Sequence, residues 1–124
     1  MKERGAATIV AVALATGLID AAAGLVDVSR LVAAQVQATA AADAAALAAA
    51  PLTFLGGDPT EEASEFAVRN GAGLWRCRCP IDRSLDPRVV LVEVTKTVDL
   101  GLLGSHTVRA RAAAEFSPLQ LLGS

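Results

Sequence analysis

The feature that most limits how this chain can fold is a proline-free run of about 45 residues, from Ala6 to Ala50. Residues 6–19 carry no charged side chain, and alanine, the strongest helix former, dominates the last part of the run. One helix over the whole run would be roughly 67 Å long, about twice the thickness of a bilayer's hydrocarbon core. The run therefore predicts a helix that spans a membrane over residues 6–26 and continues outside it over residues 27–50.

The few charges around this span predict its orientation. Lys2 and Arg4 lie in a short leader, residues 1–5, and Arg30 is the one basic residue close behind the span. Because basic residues are enriched on the cytoplasmic side of membrane spans, the N-terminus is expected in the cytoplasm. The sequence predicts a single-pass protein of the cell membrane with its C-terminal part outside.

Small residues recur along the long helix and leave two interpretations open. Alanine fills twelve of the eighteen positions from 33 to 50, and Gly17 and Gly24 lie seven residues apart on one helix face. Alanine can simply support helix formation. Alternatively, small side chains let helices approach closely, which predicts a packing face for other subunits at Gly17, Gly24, Ala41 and Ala45.

Two carboxylates near the outer end of the span are candidate intramembrane charges. A carboxylate at membrane depth costs a few kcal/mol, which makes Asp20 and Asp27 functional candidates. In one interpretation Asp27 pairs with Arg30, three residues on, and marks the interface while Asp20 reaches toward the headgroups. In the other, Asp20 pairs with a basic residue of a partner.

The chain beyond the long helix begins with helix-breaking and helix-starting residues. Pro51 is expected to end the helix, since proline cannot donate to the helical ladder and restricts the residue before it. Residues 51–58 then form a linker. Asp58 reads as an N-cap, followed by Pro59 at the first helical position, and this pattern predicts a short helix that Gly71 stops.

Three later segments have the composition of strands, namely residues 74–79, 88–98 and 106–114. The middle segment alternates, so that one set of side chains faces one way and a second set the other: Val90, Val92 and Val94 against Leu91, Glu93 and Thr95. The third segment places Arg109 and Arg111 on one face. We therefore predict an α+β fold in which the long helix precedes a small domain, residues 59–118, with a short helix and a three-stranded antiparallel sheet. Residues 119–124 form a tail.

The small domain has little material for a core of its own. Residues 52–124 contain one tryptophan and three phenylalanines, and cores of fewer than about 80 residues rarely supply more than about 3–5 kcal/mol. The C-terminal part of the long helix, including Val36 and Leu47, is therefore expected to dock on one sheet face.

Other residue patterns bear on chemistry. Net charge is −2 and the basic residues do not cluster along the sequence, so no nucleic-acid partner is expected. Cys77 and Cys79 form C-x-C; a local disulfide would require a bend at Pro80, and an intermolecular bridge is the alternative. With His106, the only histidine, they are one ligand short of a structural zinc site. No cofactor, metal, small-molecule substrate or enzyme activity is predicted.

Three parts of the N-terminal half together resemble a known family. They are Gly5-Ala6 after a basic leader, the segment VDVSR at 26–30, and the block QATAAADAAALA at 37–48. In this order they resemble the N-terminal region of TadE/TadG-like proteins of the tight-adherence (Flp-type) pilus assembly system, over residues 4–50. The compact size and the short helix-plus-sheet part after Pro51 are similar to the actinobacterial TadE-like group found near secretion genes.

The resemblance implies a membrane-anchored minor pilin or pseudopilin, a structural or priming subunit of a pilus or related secretion assembly. Its partners would be other pilin-like subunits, the assembly machinery and prepilin peptidase. Cleavage by that peptidase after Gly5 would leave Ala6 as the first residue. Val10 then stands where pilins usually carry glutamate, and an uncleaved anchor is the alternative.

A signal-peptide interpretation competes with the anchor. The basic leader, the apolar residues 6–19 and the Ala21-Ala22-Ala23 site before Gly24 fit the pattern that signal peptidase cuts. Cleavage near Ala23 would release a small secreted binding domain. Asp20 and the uninterrupted helical pattern favour the anchor.

Overall fold

The computed structural model describes residues 2–123 and has an α+β architecture, as predicted. Its elements in chain order are α1 (Lys2–Leu55), α2 (Pro59–Arg69), β1 (Gly73–Arg78), β2 (Arg88–Leu100), β3 (Gly104–Phe116) and α3 (Pro118–Leu122). The strands form one antiparallel sheet in the order β1-β2-β3. The short α3 occupies most of the predicted tail. Met1 of the predicted leader and Ser124 of the tail lie outside the described residues.

Helix α1 does not end at Pro51, and the expected linker over residues 51–58 is wrong in its first part. The helix passes through Pro51 and ends at Leu55. The proline costs only one ladder bond in the last turn, and tertiary contacts hold that turn in place. Thr53 is fully buried; its hydroxyl donates to the Ala50 carbonyl at 2.6 Å, and its carbonyl accepts the Asp82 N–H at 2.9 Å.

Helix α2 begins and ends where the capping pattern predicts. The Asp58 carboxylate accepts the N–H groups of Thr60 and Glu61 at 3.0 and 3.1 Å, with Pro59 in the first turn. The chain leaves the helix through Gly71, which has a φ of 82°, a left-handed conformation that glycine adopts without steric cost.

The β2–β3 hairpin is longer than the sequence predicts. Pairing runs without a break from Arg88 opposite Phe116 to Leu100 opposite Gly104, so only residues 101–103 form the turn. Gly104 has a φ of 72° and lets the chain enter β3 directly after this turn. Strand β1 pairs with β2 and contains a register shift between Leu74 and Arg76, which places Trp75 at a bulge.

The core lies between α1 and one face of the sheet and consists mainly of alanine. The inward valines of β2 are fully buried, as their alternation predicted: Val90, Val92 and Val94. Opposite them α1 buries eight alanines: Ala34, Ala38, Ala41, Ala42, Ala45, Ala46, Ala49 and Ala50. Strand β3 adds Val108 and alternate alanines, and α2 adds Ala63 and Ala67.

The predicted docking of α1 on the sheet is confirmed, but the residues expected to make the contact are wrong. Val36 is 65% exposed and Leu47 is 68% exposed, because both lie on the face of α1 turned away from the sheet. The eight buried alanines of α1, from Ala34 to Ala50, form what we call the alanine face, and this face docks instead. Its members recur at helical i, i+3 and i+4 spacing, and small side chains let the α1 backbone approach the valines of β2 closely.

Candidate functional site

The N-terminal half of α1 is apolar and makes no use of its apolar surface within the chain. The large aliphatic side chains between residues 9 and 26 are all about half or more exposed: Ile9, Val10, Val12, Leu14, Leu18, Ile19, Leu25 and Val26. The most apolar 18-residue window of the helix has a mean hydropathy of 2.2. In water such a surface would be costly, at roughly 25 cal/mol per Å². This half of α1 is long and apolar enough to cross a membrane.

The predicted processing and glycine positions lie on this exposed half. Gly5 and Ala6 are helical and exposed, and a side chain added at Gly5, Gly17 or Gly24 would meet no other group within 4 Å. Asp20 is exposed among the apolar residues. Cleavage after Gly5, helix packing at Gly17 and Gly24, and an intramembrane role for Asp20 stay predictions.

The expectation that Ala41 and Ala45 form a packing face for other subunits is wrong. Both residues have no exposed surface, because they pack against the sheet and α2 of the same chain. The recurring small residues predicted a helix face that another element approaches closely, and α1 has such a face. Its partner is the chain's own domain rather than a neighbouring helix.

Asp27 has a role that the sequence did not reveal. It is 3% exposed, and its two carboxylate oxygens accept the N–H groups of Gly101 and Leu102 at 3.1 and 3.0 Å. The local ion pair expected with Arg30 is not among the ion pairs of residues 2–123. The carboxylate instead caps the β2–β3 turn, 74 residues further along the chain, and fixes the hairpin tip to α1.

Cys77 and Cys79 are bonded to each other across the end of β1. Their Cα atoms are 5.5 Å apart, within the range that disulfides adopt. Strand β1 ends at Arg78, so Cys79 lies just beyond the strand and directly before Pro80. Both side chains pack on the edge of the core. Their redox state in the cell stays a prediction.

The loop between β1 and β2 is organised around Arg88. This buried side chain donates hydrogen bonds to the backbone carbonyls of Asp82, Ser84 and Asp86, and its guanidinium lies over the Phe54 ring of α1. Hydrogen bonds from the Ser84 N–H and hydroxyl lower the pKa of the Asp82 carboxyl. The loop therefore holds the last turn of α1 and the start of β2 together.

The outer face of the sheet carries a cluster of arginines that the sequence order conceals. We define the arginine face by four arginines with one aromatic and one acidic neighbour: Arg76, Arg78, Arg109, Arg111, Trp75 and Glu93. The arginines come from strands at opposite edges of the sheet and meet across β2. The basic residues do not cluster along the sequence, but these four do cluster in the folded sheet. The sequence signal for this was that the arginines of β1 and of β3 occupy alternate positions, which places each pair on one strand face.

Two contacts organise the arginine face. The Arg109 guanidinium stacks on the Trp75 ring, 4.8 Å from its centroid, and Arg111 pairs with Glu93 at 2.6 Å. Arg76 lies opposite Glu93 on β1, and Arg78 lies one pleat further along. A groove of about 310 Å³ runs between Arg76, Arg78 and Arg111. With four arginines against one glutamate, the face has a net charge of about +3 and suits an anionic partner.

His106 lies at the start of β3, opposite Val98, and not beside the cysteines. The neighbouring Ser105 hydroxyl donates to the Asp99 carboxylate at 2.6 Å instead of to the imidazole. Among the described side chains, residues 4–123, no group of three or more His, Cys, Asp or Glu is placed to hold a metal ion.

Comparison with known proteins supports the family resemblance. Residues 5–51 match the model of the TadE/G-like Flp pilus-assembly family, which confirms the resemblance noted over residues 4–50. The match covers the apolar half of α1 and its alanine face, and it ends before the last turn of the helix. No curated protein and no solved structure matches the chain.

Proposed function

We propose that this protein is a membrane-anchored minor pilin or pseudopilin, a structural or priming subunit of a Flp-type pilus or a related secretion assembly. The apolar half of α1 holds the subunit in the membrane, with its N-terminus in the cytoplasm and the α+β domain outside. The alanine half of the same helix is part of that domain and packs against its sheet and α2. Other pilin-like subunits and the assembly machinery are its partners.

The observation that carries this proposal is the division of one continuous helix into two surfaces. From Ile9 to Val26 every large aliphatic side chain is exposed, whereas from Ala34 to Ala50 the alanine face is buried under the sheet. A helix with this division fits a lipid environment at one end and a folded domain at the other. The family match spans both halves.

A second candidate is a small binding domain released by signal peptidase near Ala23. One observation favours it: the hydrogen bonds of Asp27 to the β2–β3 turn and the buried core both lie after Gly24, so cleavage between Ala23 and Gly24 would keep them. The two candidates differ in the mature N-terminus, which is Met1 or Ala6 for an anchored subunit and Gly24 for a released domain.

The test is fractionation of the full-length protein in its native cell, followed by N-terminal sequencing. We expect recovery with membranes, resistance to carbonate extraction, and protease-accessible domain epitopes in intact cells, because about twenty apolar residues follow the leader. As a control, a variant with Leu14→Arg and Leu18→Arg should leave the membrane fraction, since arginine at the centre of a span costs about 2.5–3.5 kcal/mol.

Recovery mainly from the medium as a chain beginning at Gly24 would overturn the anchored role and support release. Ala6 at the N-terminus would show cleavage after Gly5, whereas Met1 would show an uncleaved anchor. Co-purification of the membrane form with pilus components, compared with an equally abundant unrelated single-pass protein, tests the assembly role.

A further inference from the structure

The arginine face has more positive charge than its own chain neutralises. Glu93 is its one acidic member and is already paired with Arg111, while Arg109 stacks on Trp75. Arg76 and Arg78 form no ion pair with any of the side chains described, those of residues 4–123. They lie on alternate positions of β1 beside a groove of about 310 Å³, so both guanidinium groups are available to an incoming carboxylate.

The opposite charge is concentrated on α2. We define the acidic α2 surface by four side chains at and after its N-cap: Asp58, Glu61, Glu62 and Glu65. The one basic residue of α2, Arg69, pairs with Glu65. The surface therefore has a net charge of about −3, matching the arginine face in size and opposing it in sign.

The two surfaces cannot neutralise each other within one molecule. The arginine face is the side of the sheet turned away from α1, whereas α2 packs on α1 and beside the β1 edge. No ion pair joins them within residues 2–123. Helix α2 starts just after the end of α1 and leads to Gly71, whose carbonyl accepts a hydrogen bond from Lys96 of β2, and β1 then runs back along β2. Helix α2 and β1 therefore extend along the same part of the domain. The two surfaces therefore lie at similar distances from the membrane.

We propose that the arginine face docks on the acidic α2 surface of a second copy of this chain. This deepens the proposed subunit role and rests on it only in requiring copies to meet in one membrane. The spacing of the charges supports the match: Glu61 and Glu65 are one helical turn apart, about 6 Å, and Arg76 and Arg78 are about 6.7 Å apart along the strand.

The contact joins two different surfaces and is therefore heterologous. Each copy keeps a free arginine face on one side and a free acidic α2 surface on the other, so pairing does not close after two copies. Such contacts form a ring or an open row of domains, with their anchors parallel in one bilayer.

The test uses full-length protein in neutral detergent micelles, with self-association measured by sedimentation or by energy transfer between labelled copies. Arg76→Glu with Arg78→Glu, and separately Glu61→Arg with Glu65→Arg, should each weaken association about tenfold or more at low ionic strength. Mixing the two variants should restore it, because each then meets the opposite charge. Raising the salt should weaken the wild-type contact. Arg30→Glu with Arg83→Glu, the same charge change at exposed sites outside the face, is the matched control.

Circular dichroism shows whether each variant folds, and Arg76→Gln with Arg78→Gln replaces the reversal if it does not. The proposal is overturned if both reversals associate like wild type, if mixing restores nothing, or if the control weakens association equally. It is also overturned if wild type stays monomeric at low salt while binding polyphosphate through Arg76 and Arg78, which would assign the face to an anionic polymer. None of these outcomes changes the membrane fractionation, so failure here and failure of the anchored role are distinguishable.

Discussion

At the scale of single residues, Asp27 shows how a charge beside a membrane span can have a purely structural role. Sequence reasoning placed it at the membrane because it follows an apolar run. In the fold it lies at the end of the domain next to the apolar half of α1, where its carboxylate accepts hydrogen bonds from two N–H groups of the β2–β3 turn. No local pattern contains this contact, since its partners are 74 and 75 residues away in sequence.

Replacing Asp27 with alanine should loosen the hairpin tip. Hydrogen bonds to charged groups contribute roughly 1.5–3 kcal/mol, and the variant leaves two N–H groups without their acceptor. We expect a lower melting temperature and faster amide hydrogen exchange at Gly101 and Leu102. Asp20→Ala removes a carboxylate from the exposed part of the same helix and should change neither. Equal effects from both substitutions would contradict the capping role.

The buried alanines of α1 give a second prediction at this scale. Ala41→Leu adds volume where the helix contacts the sheet, and overpacking of this kind costs about 1–3 kcal/mol. Ala40→Leu, one position along and exposed, should change stability by less than about 0.5 kcal/mol. Thermal unfolding of the two variants measures the difference. If Ala41→Leu unfolds like wild type but fails to bind partner subunits, the alanine face packs between molecules after all.

At the scale of elements, the strands and α2 could be predicted because each has a local cause. The alternation of β2 follows from burial on one face, and α2 begins at Asp58 because that carboxylate caps it. The passage of α1 through Pro51 could not be predicted in this way. It depends on Thr53 and Asp82 meeting across the fold, a contact between distant segments.

The candidate site likewise has features with a local cause in the sequence and features that depend on contacts between distant segments. The apolar span was evident from composition, whereas the C-x-C spacing left a local disulfide and an intermolecular bridge both open. The arginine face was missed because its members come from β1 and β3, which meet across β2 only after the sheet forms. The role of the alanine face was misassigned because small side chains predict a closely packed neighbouring element, but they do not show whether that element belongs to the same chain or to another molecule.

The dependence of the sheet on α1 predicts how fragments behave. A fragment of residues 51–124 lacks the eight α1 alanines that cover Val90, Val92 and Val94, and what remains is too small to fold stably. We expect it to show no cooperative unfolding transition. A fragment of residues 26–124 keeps Asp27 and the whole alanine face and should unfold cooperatively. Circular dichroism melting curves of the two fragments make the comparison, and a cooperative transition in the shorter one would show that α1 is dispensable.

At the scale of the whole molecule, the net charge of −2 conceals a strong internal division. The arginine face carries about +3 and the acidic α2 surface about −3, on separate sides of the domain. Salt screens charges beyond about 8–10 Å, so a distant molecule experiences almost no net field from this chain. A molecule in contact with it experiences strong positive charge on one side of the domain and strong negative charge on the other. Association governed by these surfaces should therefore be orientation-specific rather than a general attraction.

The unbroken course of α1 also ties the direction in which the domain faces to the bilayer. A helix turns about 100° and rises about 1.5 Å with each residue. One residue added between Leu25 and Val26 would leave the apolar span, the Asp27 contacts and the core intact, yet it would rotate the arginine face by more than a quarter turn relative to the span. The number of residues in α1 therefore fixes the rotation of the domain about the helix axis. That rotation determines from which direction in the membrane plane a neighbouring molecule can approach the arginine face.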